Sequence, residues 1–206
     1  MNIFRKITNI ENSNSITTKI RQENFRIFKT LALSYNRKVK ILDLGGTQEY
    51  WEMMKYTDPN LIEITLINLD DTRVTLPNFS LVKMNVLDLD ISKLECDIIF
   101  SHSLIEHISN KERFAKMIRD SGKSYFIQTP NKYFPIEPHF LVPLFQFFPI
   151  WLKFWYIETF RKESLHEVES INLLSRGDLM KLFPNSTISG RKIFGLTQSF
   201  VITKNK

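Results

Sequence analysis

The chain has 206 residues, 43% of them hydrophobic and 24% charged, with six glycines and eight prolines. Those proportions exclude a disordered, collagen-like or low-complexity chain, and the length predicts one domain with a sizeable core. The lone cysteine, Cys96, excludes a disulfide framework and a cysteine-based zinc site. With 28 basic and 22 acidic residues the formal charge is +6, which suits a soluble surface and leaves phosphate-bearing partners open.

The first twenty residues show neither a continuous apolar core nor a small-residue cleavage pattern. No run approaches the roughly 18 apolar residues of a membrane-spanning helix. A cytoplasmic location is the expectation.

Residues 13–36 predict an amphipathic helix, capped by Ser13 or Ser15, with Ile16, Ile20, Ile27, Leu31 and Tyr35 near helical spacing. Val39 to Leu44 is a short apolar run closed by Gly45 and Gly46, which favours a buried strand. Glu49 to Tyr56 predicts a short helix with Trp51 and Met54 inward. Further strands are predicted at Ile62 to Leu69, Leu81 to Leu87, Asp97 to Ser101 and Ser124 to Thr129. Ser109 to Glu112 reads as a capping box, opening a helix that carries Phe114, Met117 and Ile118 and ends before Gly122.

Alternating strands and helices predict parallel βαβ units and a doubly wound sheet. The end of the chain differs. Ser175 to Phe183 predicts a helix opened by Ser175 and Asp178. Thr187 to Ile193 and Ser199 to Thr203 then form an antiparallel pair around a turn containing Gly195. Between these parts, residues 133–160 hold 11 of the 26 aromatics and are broken by four prolines, which predicts two short helices split near Pro149.

In an open parallel sheet, ligands bind beyond the carboxyl ends of the strands. After the first strand stands Asp43-Leu44-Gly45-Gly46-Thr47, where glycines allow a sharp turn and close approach of a ligand. After the second stand Asn68, Leu69, Asp70 and Asp71, suited to ribose hydroxyls. Beyond the third, Asn85 and Val86 offer an acceptor beside a backbone N–H, suited to an adenine edge. After the fourth come Ser101, His102, Ser103 and the pair Glu106-His107. The set describes a nucleoside cofactor lying across the sheet.

That order of parts resembles the class I S-adenosylmethionine-dependent methyltransferases, with Glu106-His107 and the stretch from Gln128 to His139 resembling their type 11 branch. The resemblance implies an α/β fold: a Rossmann-like, doubly wound, mostly parallel seven-stranded sheet with an antiparallel C-terminal hairpin. It implies one domain over residues 1–206, with 133–165 an aromatic-rich helical insertion acting as a lid or substrate cap. It implies S-adenosylmethionine as cofactor, with Asp43 opening the glycine motif and Gly45, Gly46 and Thr47 around the methionine part. Asn68, Leu69 and Asp70 would hold the ribose, Asn85 and Val86 the adenine, and Ser101 and His102 the space beside the sulfonium. The sequence departs from the family pattern at Thr47 and Glu49, where glycines are expected, and at Asn68, where an acid is expected.

The acceptor expected is a small molecule, a sugar or a lipid-linked glycan, with His107 and His139 as candidate catalytic bases, each beside a carboxylate. The aromatic segment, with Lys153, Arg161 and Lys162, further suggests peripheral contact with the inner face of a membrane. No metal is expected, because H-E-x-x-H is absent, and no nicotinamide cofactor, because G-x-G-x-x-G is absent. No appended RNA module or basic stripe is visible, so nucleic acid is not the expected partner. An RNA methyltransferase, and a non-catalytic binding or scaffold protein on the same fold, stay open as alternatives.

Overall fold

A computed structural model describes residues 16–135, 144–160, 172–193 and 195–206. In chain order the elements are α1 (Ile16–Leu33), β1 (Val39–Leu44), α2 (Gln48–Met53), β2 (Ile62–Asn68), β3 (Phe79–Lys83), β4 (Ile98–His102), α3 (Lys111–Asp120), β5 (Ser124–Pro130), α4 (Ile150–Phe160), α5 (Arg176–Leu182), β6 (Thr187–Ile193) and β7 (Leu196–Lys204). Ser13 and Ser15, expected to cap the first helix, lie outside the described residues.

The strands form one sheet in the order β3-β2-β1-β4-β5-β7-β6. The first five are parallel. β7 runs antiparallel to both β5 and β6, as the short Gly195 turn between the last two strands requires. The chain builds outward from β1 to β3, then returns to lay β4 against the other side of β1. The direction of winding therefore reverses between β1 and β4, and a crevice opens above their carboxyl ends.

Apolar clusters cover both faces. On one face α1 and α2 bury Phe25, Phe28 and Trp51 against Ile41, Ile64, Phe100 and Phe126. Trp51 and Met54 point inward, as the spacing predicted. On the other face α3 and α5 bury Phe114, Ile118, Leu179 and Phe183 against Leu42, Ile99, Tyr125 and Ile127. β5 is buried along its whole length. Such double-sided burial explains why these strands read as continuous apolar runs.

Three expectations need correction. The third strand spans Phe79–Lys83, not Leu81 to Leu87; Val86–Asp88 is a 3-10 turn that Asn85 caps by accepting from the Leu87 amide at 3.0 Å. The helix after β4 is capped by Asn110, not Ser109, through a 2.9 Å bond from the Arg113 amide. The alternation of strands and helices also fails twice: no α-helix joins β2 to β3 or β3 to β4. Residues 69–78 instead cross over without regular structure, held by the Gln48 side chain. Its Oε1 accepts from the amides of Thr75 (2.8 Å) and Leu76 (3.1 Å), and its Nε2 donates to Thr75 Oγ1.

The predicted capping box is present at Ser175 and Asp178. The aromatic segment is split at Pro149, between a 3-10 turn (Phe145–Phe147) and α4. Among the described residues no helix is long and apolar enough to cross a membrane, and no cluster of side chains could hold a metal ion.

Candidate functional site

β1 and β4 are parallel neighbours, with Leu44 opposite Ser101, so Gly45 and His102 emerge side by side at the rim. Gly45 turns the chain with φ +77°, a conformation that favours glycine, and its amide donates to the Ile67 carbonyl at 2.8 Å. At Gly46 the reason for glycine is space: a Cβ would stand 1.7 Å from Asp43 Oδ2. The Asp43 carboxylate thus packs directly beneath the turn.

Asp43 is 1% exposed and accepts from Trp51 Nε1 at 2.7 Å, while its Oδ1 has no partner among the described residues. Burial pushes its pKa up to about 7, against the lowering effect of the Trp51 bond. Trp51 lies wholly inside the core, and Glu49 is exposed. Thr47 is the extended residue before α2, and its side chain makes no cap bond. The helix it opens has six residues.

At the end of β2, Asn68 ties the rim together. Its Nδ2 donates to the Gly46 carbonyl at 3.1 Å and its Oδ1 accepts from the Asp70 amide at 3.2 Å. An aspartate could not make the first of these bonds. Leu69 and Asp70 are exposed beside it. Beyond β3, Asn85 is exposed and Val86 is buried in the core.

At the end of β4, Ser101 is fully buried and its hydroxyl donates to the Leu44 carbonyl at 3.4 Å. His102 faces the other side of the strand, its ring 4.5 Å from that of Tyr50. Its Nε2 has no partner among the described residues. Burial, helped by the positive charge of Arg21, lowers its pKa to about 3, and the neighbouring Gln128 amide only partly offsets this. The imidazole is therefore neutral at physiological pH. Gln128, its register partner on β5, is 6% exposed, and its Oε1 has no partner among the described residues.

Arg21, Tyr50 and Gln128 join this group with no local signal in the sequence. Arg21 is half-buried, and burial lowers its pKa while Tyr50 works against that. Tyr50 is held out of ionisation by burial, then by the nearby Asp43 charge. α1 brings Arg21, α2 brings Tyr50 and β5 brings Gln128 to the end of β4; their separation along the chain hides the grouping.

Glu106 and His107 are adjacent in sequence but part in space. Glu106 is fully buried, its Oε2 accepting from Thr129 Oγ1 at 2.9 Å, whereas His107 is exposed on the 3-10 turn Ile105–His107. His139 lies outside the described residues.

By sequence, the chain matches no protein-family model and no curated protein. By structure, it is similar to a SAM dependent methyltransferase from Archaeoglobus fulgidus, with a TM-score of 0.58 and 11% identity over 98% of both chains. A second, from Aquifex aeolicus, gives 0.52 and 13% over 98% of both. The methyltransferase domain of bacterial-CtHen1-CN gives 0.54 and 16% over 89% of this chain and 98% of that one. With its strand order and reversed last strand, this chain has the Rossmann-like fold of the class I S-adenosylmethionine-dependent methyltransferases.

Proposed function

We propose that the chain is an S-adenosylmethionine-dependent methyltransferase whose cofactor lies across the rim from Asn68 to His102, and whose acceptor is a small molecule, a sugar or a lipid-linked glycan. The observation that carries this reading is the Gly45–Gly46 turn facing His102. A left-handed glycine and a second glycine without room for a Cβ leave bare backbone at the switch point of the sheet. Orphaned polar atoms of Asp43 and His102 flank it. Those groups fit a nucleoside with an amino-acid tail.

Bound there, S-adenosylmethionine supplies an electrophilic methyl on a sulfonium, so the protein need only orient an attacking group and exclude water. Gly45, Gly46 and Thr47 border the methionine part, with Asp43 beneath it and Arg21 placed to meet a carboxylate. Asp70 takes the ribose, since Asn68 already spends both side-chain atoms on Gly46 and Asp70. Asn85 and Val86 meet the adenine through their backbone. Neutral His102 forms the wall beside the sulfonium, with Leu69 at the outer edge, while Ser101, buried on the other face of β4, braces the rim through the Leu44 carbonyl. A hydroxyl acceptor would give its proton to His107 or His139 as it takes the methyl, with S-adenosylhomocysteine as the leaving group. Residues 144–160 of the insertion follow β5 and are assigned to the acceptor side.

Calorimetric titration with S-adenosylmethionine and S-adenosylhomocysteine tests the reading. Micromolar binding of both, lost in the Gly46→Ala variant, supports it. A folded protein that binds neither overturns it in favour of a binding or scaffold protein, the reading that Asn68 in place of an acid favours.

A further inference from the structure

A cavity of about 240 Å³ lies where the outer side of α1 meets the end of α2, lined by Gln22, Phe25, Arg26, Lys29, Met54 and Lys55. No rim residue from Asp43 to His102 is among its walls, so it is separate from the crevice. Phe25 and Met54, both buried, form an apolar floor. Gln22, Arg26 and Lys29 follow one stripe of α1, spaced four and three residues apart.

The walls carry three cations and no carboxylate. None of the three side chains makes an ion pair or a hydrogen bond among the described residues. Lys29 Nζ sits instead over the rings of Phe25 and Tyr56, 5.7 and 5.2 Å from their centroids. A cavity of about 320 Å³ elsewhere on the molecule makes the contrast. It also has three cations, Arg37, Lys40 and Lys123, but Asp97 and Glu95 share its walls and pair with Arg37 at 2.7 Å and Lys40 at 2.6 Å. Between α1 and α2 no such pairing offsets the mutual repulsion.

Lys55 adds an independent sign. Its φ is +52°, the left-handed conformation that favours glycine at a helix end. Its charge is not needed to cap α2, because the carbonyls of Tyr50, Trp51 and Glu52 already accept from the amides of Met54, Tyr56 and Lys55. A lysine thus stands at a strained position for which the fold itself supplies no use.

We propose that this cavity binds a free phosphomonoester, its phosphate among Arg26, Lys29 and Lys55 and its apolar remainder on Phe25 and Met54. Three converging cations match a doubly charged phosphate better than a carboxylate, and a guanidinium meets phosphate oxygens two at a time. The volume falls just below the roughly 300–1,000 Å³ of drug-sized pockets, which suits a compact ligand. A ligand here would tie α1 to α2, the two helices that close over His102. The proposal goes beyond methyl transfer and does not rest on it.

Calorimetric titration with phenyl phosphate tests it, with inorganic phosphate as the probe of the anionic part alone. Phenyl phosphate should bind the more tightly of the two, and both should weaken as salt rises. Arg26→Gln/Lys29→Gln should cut the affinity at least about tenfold, with the circular dichroism spectrum unchanged. Lys55→Gly should cut it by a similar factor without lowering the thermal midpoint, since the charge is lost and the backbone relaxed. Lys40→Gln, at the paired cavity, should leave it unchanged. No binding of phenyl phosphate, or an equal loss in Lys40→Gln, overturns the proposal. Binding of phosphatidic acid vesicles or of a short RNA, with no response to phenyl phosphate, overturns it in favour of those partners. S-adenosylhomocysteine titration of the same sample reports the methyltransferase reading separately, so loss of one result leaves the other standing.

Discussion

The Trp51 indole N–H donates to the Asp43 carboxylate at 2.7 Å, and neither side chain is more than 1% exposed. This bond links α2 to the end of β1 directly beneath the Gly45–Gly46 turn. It also leaves a carboxylate in the core with one oxygen unpartnered among the described residues, so its charged form is held at a cost. Replacing Trp51 by Phe keeps most of the ring packing and removes the donor. The loss should destabilise the fold by about 1–3 kcal/mol, measured as a lower urea midpoint.

Asp43 and His102 give opposite pH dependences. The Asp43 pKa is raised to about 7, so the folded state holds its proton where the unfolded chain has lost it, and stability falls as pH rises from about 4 to about 7. The His102 pKa is lowered to about 3, so the unfolded chain binds the proton first and stability rises between about pH 3 and pH 6.5. The two slopes oppose each other in their shared window. Asp43→Asn should expose the His102 slope, with the unfolding free energy from urea titrations rising from about pH 4.5 to about 6.5 by up to ~1.4 kcal/mol per pH unit. A falling curve in that variant would show that His102 is not desolvated as found.

His102 should also be silent as a base. Its ring proton resonances should stay fixed between about pH 5 and pH 8. A pH profile of turnover that follows His102 would contradict its burial.

Gly46 and Gly177 make a matched pair. Alanine at Gly46 drives a methyl to 1.7 Å from Asp43 Oδ2, so the turn must move; ligand affinity should fall at least about tenfold, with a loss of about 1–3 kcal/mol in stability. Gly177 sits in α5 with only Ser175 Oγ at 3.7 Å, and alanine there should stabilise by about 0.5–1 kcal/mol. Calorimetry and urea unfolding of both variants check this.

Asp70 is exposed and its carboxylate makes no structural bond among the described residues, so Asp70→Ala should leave unfolding unchanged. S-adenosylhomocysteine affinity should drop about tenfold, the scale of one charge-assisted bond pair. An unchanged affinity would place the ribose elsewhere.

The strand ends show what was legible in advance. Val39–Leu44 matched to the residue, because a strand buried on both faces is a run of apolar residues with a glycine at its close. The Ser175 capping box matched because its bonds span three residues. β3 was misplaced, by two residues at its start and four at its end, for the opposite reason: it is an edge strand with three of its five residues exposed, so its sequence carries little pattern. The missing helix before β3 was equally silent. What holds residues 69–78 is Gln48, reaching Thr75 from 27 positions away.

The sequence by itself determined the strands, their order of loops and hence the rim where a ligand belongs, since apolar runs and glycine turns are local effects of burial and backbone freedom. Only the tertiary structure decided what fills that rim. Neutral His102 exists because α1 and α2 close over it, Asp43 holds its proton because burial outweighs the Trp51 bond, and Asn68 is a brace because Gly46 folds back to meet it. Desolvation and hydrogen bonding at these sites depend on neighbours brought from distant stretches of chain, and no local pattern encodes them.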